Sequence, residues 1–111
     1  MLPKENRLRK EKDFRQVFRE GKGVREDGLF LKVRAHEGKA PRIGIVVSKK
    51  IEAKAVRRNQ IRRKLREAIR RELGHARAGQ DMVLVVLPGF RLAVVQDLQK
   101  SIARLFQKAA P

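Results

Sequence analysis

The sequence contains no cysteine. It therefore has no disulfide framework, no thiolate metal site and no thiol nucleophile. It also has no run of about 18 apolar residues that could span a bilayer, and no apolar signal core near its N-terminus. We therefore expect a cytoplasmic protein that has no membrane partner.

Acidic residues are scarce, with 12 Asp and Glu against 29 Lys and Arg, so the net charge is +17. Such an excess favours a polyanionic partner. The length of 111 residues suits one hydrophobic core, so we expect a single domain over residues 1–111. Residues 1–10 are polar and basic with only Leu8 as an anchor, and we expect them to be flexible and mostly outside the core.

The residues that nuclease chemistry needs do not form a recognisable set. A nuclease made only of protein requires clustered carboxylates that hold a divalent metal, or a paired acid and base. His36 and His75 have no spacing that suggests cooperation, the acidic pair Glu26 and Asp27 falls in a loop, and Ser48 lacks a base partner. We therefore predict no catalytic residue, no protein metal site and no organic cofactor.

Hydrophobic periodicity predicts seven elements. They are a helix over Glu11–Glu20, strands over Gly21–Arg25, Leu29–His36 and Ile43–Val47, a helix over Ala55–Leu73, a strand over Met82–Leu87 and a helix over Val94–Ala109. The second and third strands are expected to pair as a hairpin. The order αβββαβα predicts an α+β sandwich in which helices cover a small mixed sheet.

The helix over Ala55–Leu73 and the residues just before it hold much of the positive charge. Residues Lys49–Glu72 contain eleven basic and three acidic side chains, and the apolar residues Ile61, Leu65 and Ile69 recur at helical spacing. Arginine forks on a rigid helix can each bind two phosphate oxygens of an RNA backbone. The alternative is a solvated basic face, which the lack of compensating acids at i, i+4 makes less favourable.

The segment Val46–Arg70 resembles the signature of the bacterial ribonuclease P protein subunit family. The matching residues are Ser48, Lys49, Lys50, Ala55, Val56, Arg58, Asn59, Ile61, Arg62, Arg63, Arg66 and Glu67. The resemblance extends over nearly the whole chain, including Asp13-Phe14 and Val17-Phe18 before Gly21. The sequence departs from the family at Gln60, where a third basic residue is common, and at Lys32, near the usual place of a strand tyrosine.

The resemblance implies the protein component of a ribonucleoprotein endoribonuclease that removes the 5′ leader of precursor tRNA. In that family the RNA subunit is catalytic, and Mg²⁺ is held mainly by that RNA and the substrate. The implied partners are the catalytic RNA subunit and precursor tRNA, with no obligate protein partner. The resemblance also implies a left-handed crossover in which the basic helix joins two parallel strands.

Two RNA-binding surfaces follow from the resemblance. The basic helix would bind the RNA subunit through Lys54, Arg57, Arg58, Asn59, Arg62, Arg63, Arg66 and Arg70. A central cleft would bind the leader through Phe14, Phe18, Lys32, Ser48, Lys49 and Lys50. On spacing alone, two aromatic residues at i and i+4 are more often core residues, so a packing role for Phe14 and Phe18 remains an alternative.

Two other function classes remain open on the residues alone. A ribosomal-type structural RNA-binding protein would share the small size, high charge and α+β sandwich. A DNA-binding or nucleoid protein would need a groove-reading motif, and none is found.

Overall fold

A computed structural model describes residues 2–35, 40–75 and 79–109, without the side chain of His75. His36 lies outside the described residues. The elements are α1 Glu11–Glu20, β1 Lys22–Glu26, β2 Leu29–Ala35, β3 Arg42–Val46, α2 Ala55–Glu72, β4 Gln80–Val86 and α3 Val95–Ala109, with single 3-10 turns at Lys4–Asn6 and Leu73–His75. The predicted order αβββαβα and the α+β class are confirmed.

The four strands form one mixed sheet in the order β1-β2-β4-β3. β4 pairs antiparallel with β2 and parallel with β3, which α2 joins to it. The predicted hairpin between β2 and β3 is therefore wrong. The hairpin is formed by β1 and β2, whose turn residues Asp27 and Gly28 have φ values of 50° and 77°, as a two-residue turn between twisted strands requires. The hand of the crossover stays a prediction.

The most apolar strand, β4, takes a central position because both of its faces are covered. Met82 and Leu84 point into the larger core, which α2 and α3 complete with residues such as Leu65 and Ile102. Val83 lies on the opposite face in a smaller cluster with Val17 of α1 and Leu8. The predicted sandwich is confirmed, with α1 on one face of the sheet and α2 and α3 on the other.

The N-terminal segment packs more closely than its polar sequence indicated. Leu2, Asn6 and Leu8 are buried, so the segment has buried residues besides the expected anchor at Leu8, while its other described residues are exposed or half-buried. The Leu8 amide donates to the Ile43 carbonyl at 3.0 Å, and the Asn6 side chain donates to the Pro41 carbonyl at 2.7 Å. The segment thus covers the outer edge of β3, which would otherwise expose unpaired backbone groups.

Two glycines allow α1 to lie close to the sheet. A Cβ atom at Gly44 would overlap the ring of Phe14, and one at Gly21 would lie 2.5 Å from the Val17 carbonyl oxygen of α1 and 2.9 Å from the Val33 carbonyl oxygen of β2. Gly21 follows the last residue of α1, as predicted, but its φ of −79° is ordinary. It is close approach of the backbone, and not a left-handed turn, that requires glycine there.

A buried ion pair fixes the first turn of α1 to the sheet. Arg42 donates two hydrogen bonds to Asp81, at 2.8 and 2.7 Å, and lies 3.6 Å from the Asp13 carboxylate. Asp81 is only 3% exposed. The hydrogen bonds to Asp81 raise the pKa of Arg42, so the guanidinium stays charged across the physiological range.

We predict that Asp81→Asn lowers the free energy of unfolding by about 2 to 3 kcal/mol, because it leaves Arg42 partly buried beside a neutral group. The matched control is Glu11→Gln, which breaks an exposed pair with Arg15 and should cost less than about 1 kcal/mol. Urea unfolding of both variants measures the difference. Equal losses would show that the Arg42–Asp81 pair stabilises the fold no more than an exposed pair does.

Candidate nucleic-acid interface

The predicted RNA-binding residues of the basic helix lie on the outer face of α2. The inner face is used by the core, because Leu65, Ala68 and Ile69 are buried. The exposed members of the predicted set are Lys54, Arg57, Asn59, Arg63, Arg66 and Arg70, and the half-buried ones are Arg58 and Arg62. The structure therefore places the whole set on α2 and the residue before it, with six side chains exposed and two half-buried.

Two of these side chains also make local hydrogen bonds. Arg58 donates to the carbonyls of Glu52 and Ala53 at 3.0 and 2.8 Å, which ties down the loop before α2. Arg62 donates to the side-chain oxygen of Asn59 at 3.1 Å. Because α2 begins at Ala55, Asn59 lies inside the helix and does not cap it.

The positive charge of α2 is unevenly compensated. Near its C-terminal end, Arg70 and Arg71 pair with Glu67, and the hydrogen bond from Arg70 lowers the pKa of that carboxyl to about 2. By contrast, no carboxylate among the described residues forms an ion pair with Arg63 or Arg66. The charge available to an external anion is therefore concentrated before Glu67, which disfavours a merely solvated basic face.

A groove runs between this stretch of α2 and the start of α3. Its volume is about 820 Å³, and its lining includes Asn59, Arg63 and Arg66 together with Val95 of α3. Val95 was not among the predicted site residues. The groove gives the arginines a concave setting, which suits a curved phosphate backbone better than a flat face does.

The other face of the sheet is only partly covered by α1. The cross-strand row Lys32, Val83 and Gly44 lies beneath the helix, since Val17 packs against Val83 and Phe14 lies over Gly44.

The next row towards the carboxyl end of β4 is Arg25, Phe30, Val85 and Val46. Its last three side chains are half-buried, so this row is only partly covered, and we call it the open cleft of the sheet.

The structure separates the two predicted aromatic residues. Phe18 is 41% exposed, whereas Phe14 packs against the Leu8 and Val17 cluster. The Lys32 amine donates to the Gly21 carbonyl at 3.1 Å, so this side chain holds the end of α1.

The other predicted cleft residues are Ser48, Lys49 and Lys50. All three are exposed and follow the carboxyl end of β3, near the open row.

Sequence reasoning missed Phe30, which is the largest side chain of the cleft floor. The guanidinium of Arg25 lies 5.4 Å from the centre of its ring, as in a cation–π contact. Val46 and Val85 were also missed as cleft residues. The strand alternation held the signal, because Phe30 has the same parity as Lys32 and therefore lies on the face opposite Leu29 and Leu31.

The acidic pair Glu26 and Asp27 is engaged in structural contacts with α3. The Ser101 hydroxyl donates to Asp27 at 2.7 Å, and Arg104 donates to both carboxylates. The pKa of Glu26 is lowered chiefly by a hydrogen bond from Lys108, and that of Asp27 by the one from Ser101. Within the described ranges, no three His, Cys, Asp or Glu side chains are grouped to hold a metal ion, and no helix has the length and apolar character to cross a membrane.

Comparison with known proteins gives one consistent family. The family model described as Ribonuclease P matches residues 2–110. The ribonuclease P protein component of Herpetosiphon aurantiacus is 36% identical over 108 residues, covering 97% of this chain and 87% of the relative. That of Clostridioides difficile is 33% identical over 102 residues, covering 91% of this chain and 89% of the relative.

Solved structures agree with the sequence relatives. The ribonuclease P protein of Thermotoga maritima matches with a TM-score of 0.83 and 29% identity, covering 95% of this chain and 98% of the other. The Staphylococcus aureus protein matches with a TM-score of 0.76 and 25% identity, covering 96% of both chains. With the family signature on α2 and a matching fold around it, the chain belongs to the ribonuclease P protein family.

Proposed function

We propose that this protein binds the catalytic RNA subunit of ribonuclease P through α2 and the 5′ leader of precursor tRNA through the open cleft of the sheet. The proposal is supported chiefly by the stretch of α2 before Glu67, where arginines form no ion pair with any carboxylate of the described residues. Family membership supplies the class of RNA, since a ribonuclease P protein component acts in tRNA processing.

The arginines of α2 suit an RNA backbone in both charge and geometry. Each guanidinium can donate two parallel hydrogen bonds to phosphate oxygens. An A-form or irregular RNA presents such oxygens on a curved surface, while its deep, narrow major groove keeps side chains from the bases. The groove beside Arg63 and Arg66 would therefore bind the RNA subunit by shape and charge.

The open cleft suits a single strand of variable sequence. Phe18 and Phe30 offer aromatic faces, which stack with any base, and stacking contributes roughly 1 to 3 kcal/mol per base. Lys49 and Lys50 stand at the end of β3, where they can hold phosphates without selecting bases. A precursor tRNA leader, which differs from one transcript to the next, requires this tolerance.

We assign the hydrolysis itself to the RNA subunit. The described carboxylates do not form a cluster that fits Mg²⁺, and Glu26 and Asp27 are held by α3. Under this proposal the RNA subunit and substrate hold the magnesium ions, and the protein positions the leader in the bacterial cytoplasm. The ribosomal alternative is disfavoured because the family model spans residues 2–110.

We predict that Arg63→Gln reduces the slope of log affinity against log salt concentration by about 0.7 to 0.9, the value for one lost phosphate contact. Lys100→Gln is the charge-matched control, because Lys100 is an exposed cation of α3, on another element. Filter binding of the RNA subunit over a series of salt concentrations measures both slopes. If both variants give the same slope, α2 makes no specific phosphate contact at Arg63.

We also predict that Phe18→Leu and Phe14→Leu differ. Phe18→Leu should leave the melting temperature nearly unchanged, but lower the holoenzyme's preference for leader-bearing over mature tRNA by about tenfold, equivalent to about 1.4 kcal/mol of stacking. Phe14→Leu should instead destabilise the fold by about 1 kcal/mol, because a smaller side chain replaces the ring over Gly44.

The measurements are thermal melts and the ratio of the two tRNA affinities for each variant. An unchanged ratio for Phe18→Leu in a stable protein would contradict the assignment of the open cleft to the leader.

A further inference from the structure

The N-terminal segment places additional arginines beside α2. Arg7 forms an isolated parallel bridge with Ile43, and its Nε donates to the Leu2 carbonyl at 2.9 Å. Leu8 is buried in the cluster with Val17 and Val83, so Arg7 and Arg9, which flank it in an extended stretch, are directed away from that cluster. Backbone and side-chain contacts therefore hold Arg7 in place on the covered edge of β3, with Arg9 two residues further along.

Arg66 of α2 faces this segment. Although the Arg66 side chain is exposed, the protein atoms around its guanidinium partly desolvate it and so lower its pKa, and the positive charges of Arg7 and Arg62 lower that pKa further. The guanidinium groups of Arg7 and Arg62, which come from two distant parts of the chain, thus lie close enough to Arg66 to repel its charge. Among the described residues, no carboxylate forms an ion pair with any of the three, and Glu67 is engaged by Arg70 and Arg71.

Arg7 and Arg66 line a small cleft of about 280 Å³. Its wall includes Arg7, Arg9 and Arg66, together with Phe14 of α1 and Gly44 of β3. One end therefore belongs to the basic face of α2, and the other adjoins the helix that borders the open cleft. The cleft lies where the two proposed RNA-binding surfaces meet.

Like charges gathered in a partly desolvated position destabilise the folded protein unless an anion joins them. We propose that Arg7 and Arg66, with Arg9 at the rim, form a clamp for a single RNA phosphodiester at the junction of the α2 face and the sheet face. The clamp rests on the proposed function, because it takes its ligand from the RNA bound on either side. Two forked guanidiniums can share the two non-bridging oxygens of one phosphate.

The test compares Arg7→Gln, Arg66→Gln, the double variant and Lys100→Gln in two binding assays. The first measures affinity for the RNA subunit over a series of salt concentrations. The second measures the holoenzyme's affinity ratio for precursor tRNA with and without its leader. An effect in the first assay assigns the phosphodiester to the RNA subunit, and an effect confined to the second assigns it to the leader.

Arg7→Gln and Arg66→Gln should each weaken affinity for the RNA that supplies the phosphodiester by about fivefold to tenfold. Each should also reduce the slope of log affinity against log salt concentration by about 0.7 to 0.9, while Lys100→Gln changes affinity less than about twofold. The affinity of the double variant should be no more than about twofold lower than that of the single variant with the lower affinity, because both arginines hold the same phosphate. Arg66→Gln leaves the Arg7 bond to Leu2 intact, so it separates phosphate binding from docking of the N-terminal segment.

The clamp is overturned if both single variants behave like Lys100→Gln in both assays. Fully additive losses would also overturn it, because they would assign the two arginines to separate phosphates. Arg63→Gln distinguishes this failure from that of the proposed function. If Arg63→Gln weakens RNA binding while the clamp variants do not, the clamp alone is rejected. If Arg63→Gln also leaves RNA binding unchanged, the proposed α2 surface is rejected too.

Discussion

The burial of β4 on both faces is the constraint from which the rest of the structure follows. Its side chains alternate between two apolar clusters, with Met82 and Leu84 in one and Val83 in the other. Each face therefore needs a helical cover, and no other strand is as completely enclosed. α1 closes one side, and α2 and α3 close the other, while β3 joins β4 in parallel through α2.

Both proposed RNA surfaces are consequences of this arrangement. α2 must turn its apolar side to the core, so its arginines face outward and cannot be satisfied by the sheet. α1 has ten residues and a length of about 15 Å, which covers only part of its face of the sheet. The row that includes Phe30 stays open beside it. The packing of the helices on the sheet thus leaves a basic helix face and an apolar cleft. The proposed clamp of Arg7 and Arg66 would lie between them.

The sequence predicted the elements well because each one carries its own periodicity, but it could not predict which strands pair. An apolar run indicates burial, not the identity of its neighbour, and this is why the β2–β3 hairpin was wrong. Leu2 has no periodic context, and its burial depends on the exposed edge of β3. Phe14 and Phe18 are equivalent by spacing, and only Gly44 beneath Phe14 separates them. Phe30 was overlooked although the alternation of β2 placed it on the cleft face.

The absence of cysteine allows the most direct test of the two-surface account. Single-cysteine variants at Arg63, Phe18 and Lys100 can each carry a photoactivated cross-linker of the same length in the assembled holoenzyme with precursor tRNA. If α2 binds the RNA subunit and the open cleft binds the leader, we expect cross-links from position 63 to the RNA subunit, from position 18 to the 5′ leader, and from position 100 to neither RNA. Cross-links from position 18 to the RNA subunit alone, or from position 100 to the leader, would contradict this assignment.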